Sequence, residues 1–191
     1  MKDVDTDLII PAQFLTSISR DGYGQNLFRR LRDNDPNFPF NLPQYSDAQI
    51  LVAQSNFGCG SSREHAVWAL QGAGIKVVIA SSFADIFFNN SAKNGLVLVQ
   101  LTQSEVEAIL SQAAAGECTL TVDLEKQTVT AKNGEYKFDF DSFRRHCILN
   151  GLDDIDYILS FQNEIAKFRE AQPAARERRH PAGTLAKSEG P

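Results

Sequence analysis

Clustered cysteines, long apolar runs and an excess of positive charge are all missing from this sequence, and each absence narrows what the chain can be. Cys59, Cys118 and Cys147 lie far apart with no C-x-x-C spacing, so neither a disulfide framework nor a zinc or iron-sulfur ligand set is visible. His65, His146 and His180 are too scattered for a local ligand spacing such as H-E-x-x-H, so any metal has to come from elsewhere. No window approaches the roughly 18 consecutive apolar residues of a membrane span, and Met1-Lys2-Asp3-Val4-Asp5 lacks the apolar run of a signal peptide; the expectation is a cytoplasmic protein. A net charge of −5 would repel a polyanion, which argues against nucleic acid as the main partner.

What remains is ordinary globular material: 191 residues, 42% hydrophobic and 23% charged, enough for one well-buried domain. Leu8-Ile9-Ile10 is a short apolar run stopped by Pro11, and a short amphipathic helix is expected near Asn26 to Arg32. Three prolines between Asn34 and Tyr45 mark a connector. Apolar runs at Ala48 to Ala53, Ile75 to Ala80 and Leu96 to Gln100 read as strands. Between them lie helices over Ser61 to Ala73 and Phe83 to Asn94, ended by Gly74 and Gly95. This β-α-β-α-β order predicts an α/β core.

Thr102-x-x-Glu105 is a capping box opening a helix to Ala115. Short strands follow at Thr119 to Val122, Thr128 to Ala131 and Tyr136 to Phe140, the last two joined through Asn133-Gly134, giving a small additional β layer. A helix starting at Asp141-Ser142 runs to Asn150. Asp153 then caps a longer helix in which Ile155, Ile158, Leu159, Ile165 and Phe168 keep helical spacing. Residues 1–170 are thus expected to form the domain and 171–191 a disordered tail, whose Arg176, Arg178 and Arg179 read as solvated.

The chemistry concentrates in Asn56-Phe57-Gly58-Cys59-Gly60-Ser61-Ser62-Arg63-Glu64-His65-Ala66, between a strand and a helix. Ligands of open α/β sheets bind at the carboxyl ends of strands, and glycines without Cβ atoms let the backbone turn several N–H groups towards an anion. A plainer account makes Ser61-x-x-Glu64 a capping box with Arg63 on the surface of the first turn, but it leaves the two glycines and the arginine unexplained. A serine-hydrolase elbow is a poorer fit, because the residues two beyond Ser61 and Ser62 are Arg63 and Glu64 rather than glycine. Cys59 reads as packing, with no adjacent base, and His65 as a satisfied first-turn histidine.

The string NFGCGSSREHA resembles the signature of the small domain of the aconitase superfamily. VDTDLIIPAQFL, ASSFADIFFNNSAKNGL and FRRHCILNGLDDI resemble the small subunits of bacterial isopropylmalate dehydratases, and together the matches cover Val4 to Phe168. The resemblance implies a swivelling β/β/α domain that closes over a large subunit carrying a 4Fe-4S cluster, in a heterodimer. The reaction it implies is the isomerisation of 2-isopropylmalate to 3-isopropylmalate through 2-isopropylmaleate, in leucine biosynthesis.

It places the catalytic base on Ser61 and substrate-carboxylate binding on Ser62 and Arg63, with a second substrate-binding arginine at Arg20. Asp7 matches the active-site aspartate, with Thr6 and Gly60 supporting the site; alone, Asp5-Thr6-Asp7 reads as a turn or a calcium-ligand fragment. The loop Phe14 to Gly24 resembles the long bacterial type, and Leu15 and Ile18 are its candidate apolar contacts for the isopropyl branch. Small subunits of this kind usually carry a further segment ahead of the aspartate motif, whereas here Met1-Lys2 leads straight into it.

Alternatives within the family are small subunits of homoaconitase, citraconate hydratase or dimethylmalate dehydratase. Outside it, the alternative is a non-catalytic module that binds carboxylates.

Overall fold

A computed structural model describes residues 1–15, 20–116 and 119–171. The chain divides into two units, Met1–Asp154 and Ile155–Pro191. The first is mixed α/β and is built on a parallel sheet. Strands β1 (Ile50–Val52), β2 (Val77–Ala80) and β3 (Val97–Gln100) lie side by side in chain order. Parallel neighbours need a crossover, which the helices α3 (Glu64–Gly72) and α4 (Asp85–Lys93) supply.

Burial on both faces explains why these strands read as unbroken apolar runs rather than alternating ones. Val78, Ala80 and Leu98 face one core, shared with Ile9, Ile10, Phe57, Val67, Leu70 and Phe87. Ile79, Val97 and Val99 face the other, shared with Val106, Ile109, Val129 and Phe138. The first core is roofed by α3 and by the N-terminal segment, which forms the short helix α1 (Thr6–Ile9), 3-10 turns at Ala12–Phe14 and Tyr23–Asn26, and α2 (Arg29–Asn34). The second is covered by α5 (Gln103–Ala114) and an antiparallel sheet of β4 (Thr121–Asp123), β5 (Thr128–Ala131) and β6 (Gly134–Lys137). Each fully buried Leu or Ile contributes about 1.5–3 kcal/mol relative to exposure, so a side chain such as Leu70 ties α3 firmly to the sheet.

Three expectations about helices are corrected. The helix predicted near Asn26 to Arg32 is displaced: a 3-10 turn at Tyr23–Asn26 precedes α2, and Phe28 between them has a left-handed backbone. The helix predicted from Ser61 begins three residues later, at Glu64, because residues 58–62 are committed elsewhere. The long C-terminal helix is two, α7 (Asp154–Leu159) and α8 (Gln162–Ala171), separated by a turn at Ser160 whose hydroxyl donates to the Tyr157 carbonyl. That side-chain bond competes with helix propagation.

Two other elements keep the predicted boundaries. The Thr102–Glu105 capping box is present, and α6 (Ser142–Asn150) starts on an Asp141 cap and ends at Gly151 in the left-handed region. The tail from 172 to 191 lies outside the described residues, as do Ile18 and Cys118.

A candidate active site at the end of the first strand

Beyond β1 the chain does not turn straight into its helix. Residues 53–63 form a long connection held from two sides. On one side lies the turn after β2: Phe57 donates its N–H to Ser82 O (3.1 Å), Ala84 donates to Phe57 O (3.0 Å), and Asn56 N–H reaches the Ser82 hydroxyl (2.8 Å). On the other side runs the N-terminal segment. Gln54 N–H donates to Met1 O (2.8 Å), Asp3 N–H to Ser55 O (2.9 Å), Gly58 N–H to Val4 O (2.7 Å) and Thr6 N–H to Cys59 O (2.9 Å).

Glycine is required where the loop bends hardest. Gly58 has φ +78°, and a Cβ there would overlap the Phe87 ring of α4. Gly60, at φ +89°, turns the chain so that Ser61 and Ser62 face outwards, both exposed.

The aspartate motif meets this loop directly. Asp5 caps α1 by accepting from Leu8 N–H (2.6 Å), which fixes Thr6 and Asp7 in the first helical turn. The buried Thr6 hydroxyl donates to Ser61 O at 2.9 Å. Asp7 accepts from Arg63 Nη1 at 2.6 Å on Oδ1, from Ala12 N–H at 3.1 Å on the same atom, and from Arg30 Nη1 at 2.6 Å on Oδ2. Arg63 also donates to the Ile10 carbonyl at 3.3 Å, and its side chain is mostly buried. The Arg63 guanidinium, helped by the Ala12 N–H and the charge of Arg30, holds the Asp7 carboxyl below its ordinary value against the opposing effect of burial.

The capping box Ser61-x-x-Glu64 does not form. Arg63 is the N-cap and makes no side-chain cap bond, while the Glu64 carboxylate accepts from Asn94 Nδ2 (2.8 Å). Among the described residues the N–H groups of Ser61 and Ser62 find no acceptor, so they and the uncapped first turn of α3 give the surface a group of outward donors. Thr6, Asp7, Gly60, Ser61 and Arg63 therefore come together, with Ser62 beside them.

Arg20 is exposed and lies over the Trp68 ring, 5.4 Å from its centroid, on the flank of α3. Leu15 is half-buried against the first core. Arg30 was not among the residues singled out from the sequence; its only signal is the density of arginine in Phe28-Arg29-Arg30-Leu31-Arg32.

His65 packs between Tyr23 and Trp68, with ring centroids 5.3 and 4.7 Å away. Burial, with Asp5 and Asp3 nearby, pushes the Cys59 thiol up, away from thiolate reactivity. Among the described residues no group of three or more His, Cys, Asp or Glu side chains is placed to hold a metal, and no helix is long and apolar enough to cross a membrane.

Comparison with known proteins accounts for this architecture. The aconitase C-terminal domain family matches residues 1–104, and a second family, LeuD_N, matches residues 107–142. The 3-isopropylmalate dehydratase small subunit of Francisella tularensis subsp. novicida is 52% identical over 172 residues, covering 90% of this chain and 91% of that one. Its counterpart from Dinoroseobacter shibae is 51% identical over 181 residues, covering 91% and 90%. A crystal structure of 3-isopropylmalate dehydratase from Methanocaldococcus jannaschii superposes with a TM-score of 0.65 at 29% identity, covering 88% of this chain and 93% of that one. With half the chain inside one family and relatives above 50% identity along nearly its whole length, the chain belongs to the 3-isopropylmalate dehydratase small-subunit family, on the aconitase C-terminal domain fold.

Proposed function

We propose that this chain is the small subunit of a heterodimeric 3-isopropylmalate dehydratase, a hydro-lyase of leucine biosynthesis in the cytoplasm. In this reading residues 1–170 are the domain that closes over a large subunit. The observation that carries it is the joining of two distant motifs on one open surface: Asp7 to Arg63 at 2.6 Å and Thr6 to Ser61 at 2.9 Å.

Ser61 is the base. Its alkoxide takes the proton from the carbon of 2-isopropylmalate that lies next to a carboxylate. The C–H pair becomes the double bond of 2-isopropylmaleate, and hydroxide leaves from the neighbouring carbon. A 4Fe-4S cluster on the large subunit supplies the Lewis acid for that departure. In the return step the Ser61 hydroxyl gives its proton to the carbon that lost the hydroxide, and hydroxide adds to the carbon that lost the proton, which restores the Ser61 alkoxide.

A serine is a poor base unless its alkoxide is stabilised, and the N–H groups of Ser61 and Ser62, which have no acceptor among the described residues, are the donors available for that. Arg63 holds the carboxylate whose charge grows as the proton leaves, and its planar pair of donors suits a developing dianion. Ser62 adds a hydroxyl to that grip, and Arg20 a second cation. Leu15 and Ile18 are the apolar contacts for the isopropyl branch.

Ser61 and Ser62 are open to water in the isolated chain, which is the wrong environment for an alkoxide. The site is complete only when a second surface covers it. Co-expression with a cysteine-bearing large subunit, followed by an anaerobic assay of 2-isopropylmalate isomerisation, tests this. Turnover is expected from the pair and from neither chain alone; robust turnover by this chain by itself would overturn the proposal.

A further inference from the structure

Arg63 is not waiting empty. One of its two terminal nitrogens is engaged by Asp7 at 2.6 Å and by the Ile10 carbonyl at 3.3 Å, so an internal carboxylate already sits on the guanidinium expected to bind the substrate. A second carboxylate arriving at Arg63 would meet the negative charge of Asp7, and like charges that close are unfavourable unless a further cation offsets one of them.

That cation is in place. Arg30 reaches from α2 to the other Asp7 oxygen, Oδ2, at 2.6 Å. Its neighbours cannot do the same: Arg29 is paired with Asp33 at 2.9 Å, and Arg32 is spent on Asn41 Oδ1 and the Gln25 carbonyl at 3.1 and 3.2 Å. Two arginines and one aspartate leave the cluster with one net positive charge; without Arg30 it would be neutral.

We propose that Arg30 is a positioning residue for substrate-carboxylate recognition: it retains Asp7 and offsets its charge, so that Arg63 can be shared with the incoming carboxylate. This rests on the reading of Arg63 as a substrate-binding residue. Arg30 does not touch the substrate. It acts on binding and leaves the proton-transfer step at Ser61 alone.

In the reconstituted two-chain enzyme, Arg30→Met should raise KM for 2-isopropylmalate about two- to fivefold at low ionic strength, the range of a partly exposed ion pair, with kcat within about twofold. The effect should shrink at high salt, and Arg30→Lys should recover most of it. In the isolated chain, a carbon-13 titration of the Asp7 carboxyl should move upwards in Arg30→Met, which reports the pairing without the partner. An unchanged KM in Arg30→Met, with Arg63→Lys raising KM strongly, overturns the role of Arg30 and leaves the reading of Arg63 standing. An unchanged KM in Arg63→Lys sinks both. A fall in kcat that Arg30→Lys does not restore would also overturn the proposal, because offsetting charge requires only a cation.

Discussion

Two connections leave the same parallel sheet, and both carry a hydroxyl residue three positions before a glutamate. After β3, Thr102 and Glu105 close on each other: Thr102 N–H donates to Glu105 Oε2 at 2.8 Å, and Glu105 N–H to Thr102 Oγ1 at 3.4 Å. After β1, Ser61 and Glu64 never meet, because the loop is pulled sideways by Thr6 and Glu64 is drawn to Asn94. The difference lies in what competes. Residues 101 and 102 lead directly from strand to cap, so the local pattern completes itself. Residues 53–63 are held by the N-terminal segment and by the turn after β2, and those bonds override the local preference. One pattern ends as a finished joint and the other as a surface of unspent donors.

The largest test of that contrast is Ser61→Ala in the reconstituted enzyme. Loss of a positioned base should cost roughly two to four powers of ten in kcat, about 3–5 kcal/mol of barrier, with KM nearly unchanged. The melting temperature of the chain should stay at the parent value, because Ser61 caps no helix. A kcat within about threefold of the parent would return Ser61 to an ordinary loop residue.

Next in size is Gly58→Ala, which asks whether the shape of the loop is imposed. It combines a left-handed backbone with overlap of the Phe87 ring, and destabilisation of about 1–3 kcal/mol in urea unfolding is expected. Full stability in the variant would mean that the loop is free to choose its path.

Thr102→Ala is the mirror experiment. It removes a closed capping box, so about 1 kcal/mol of stability should disappear while turnover stays at the parent rate. A change in turnover larger than the change in stability would erase the distinction between the two connections.

The smallest effect concerns Asp7. Its folded-state value is lowered, so its contribution to stability is present above the unfolded carboxylate value of about 4 and fades as pH falls through the lower, folded value. Asp7→Asn should lose that modest contribution at neutral pH and flatten the acid limb of the stability profile, so that variant and parent converge at low pH. An unaltered acid limb would show that the arginines do not hold the carboxylate in solution.

The scaffold was largely legible in the sequence because its signals are local. Unbroken apolar runs located β1, β2 and β3, and the Thr102 and Asp141 caps located α5 and α6. The family was legible too, through four motifs that fall in order along the chain. What stayed hidden depends on partners far along the sequence. Nothing near Ser61 announces that Thr6 takes its carbonyl, or that Arg30 approaches Asp7 from a different helix.

The apolar spacing of Ile155, Ile158, Leu159, Ile165 and Phe168 predicted one long helix where the structure has two, and it said nothing of cover. All five side chains are exposed in the second unit, so periodicity identifies an apolar face and leaves its neighbour unspecified.

The four backbone hydrogen bonds between residues 1–6 and residues 54–59 have a consequence in the language of exchange kinetics. The amides of Gln54, Asp3, Gly58 and Thr6 lie along one seam, each closed by a carbonyl from the other side. Opening any of them by local unfolding requires the two segments to part, so they should trade protons for deuterons as one cooperative group with a common protection factor. Because Ser61 hangs from the end of that seam through Thr6, the slow exchange of these amides becomes a clock for how long the serine keeps its orientation.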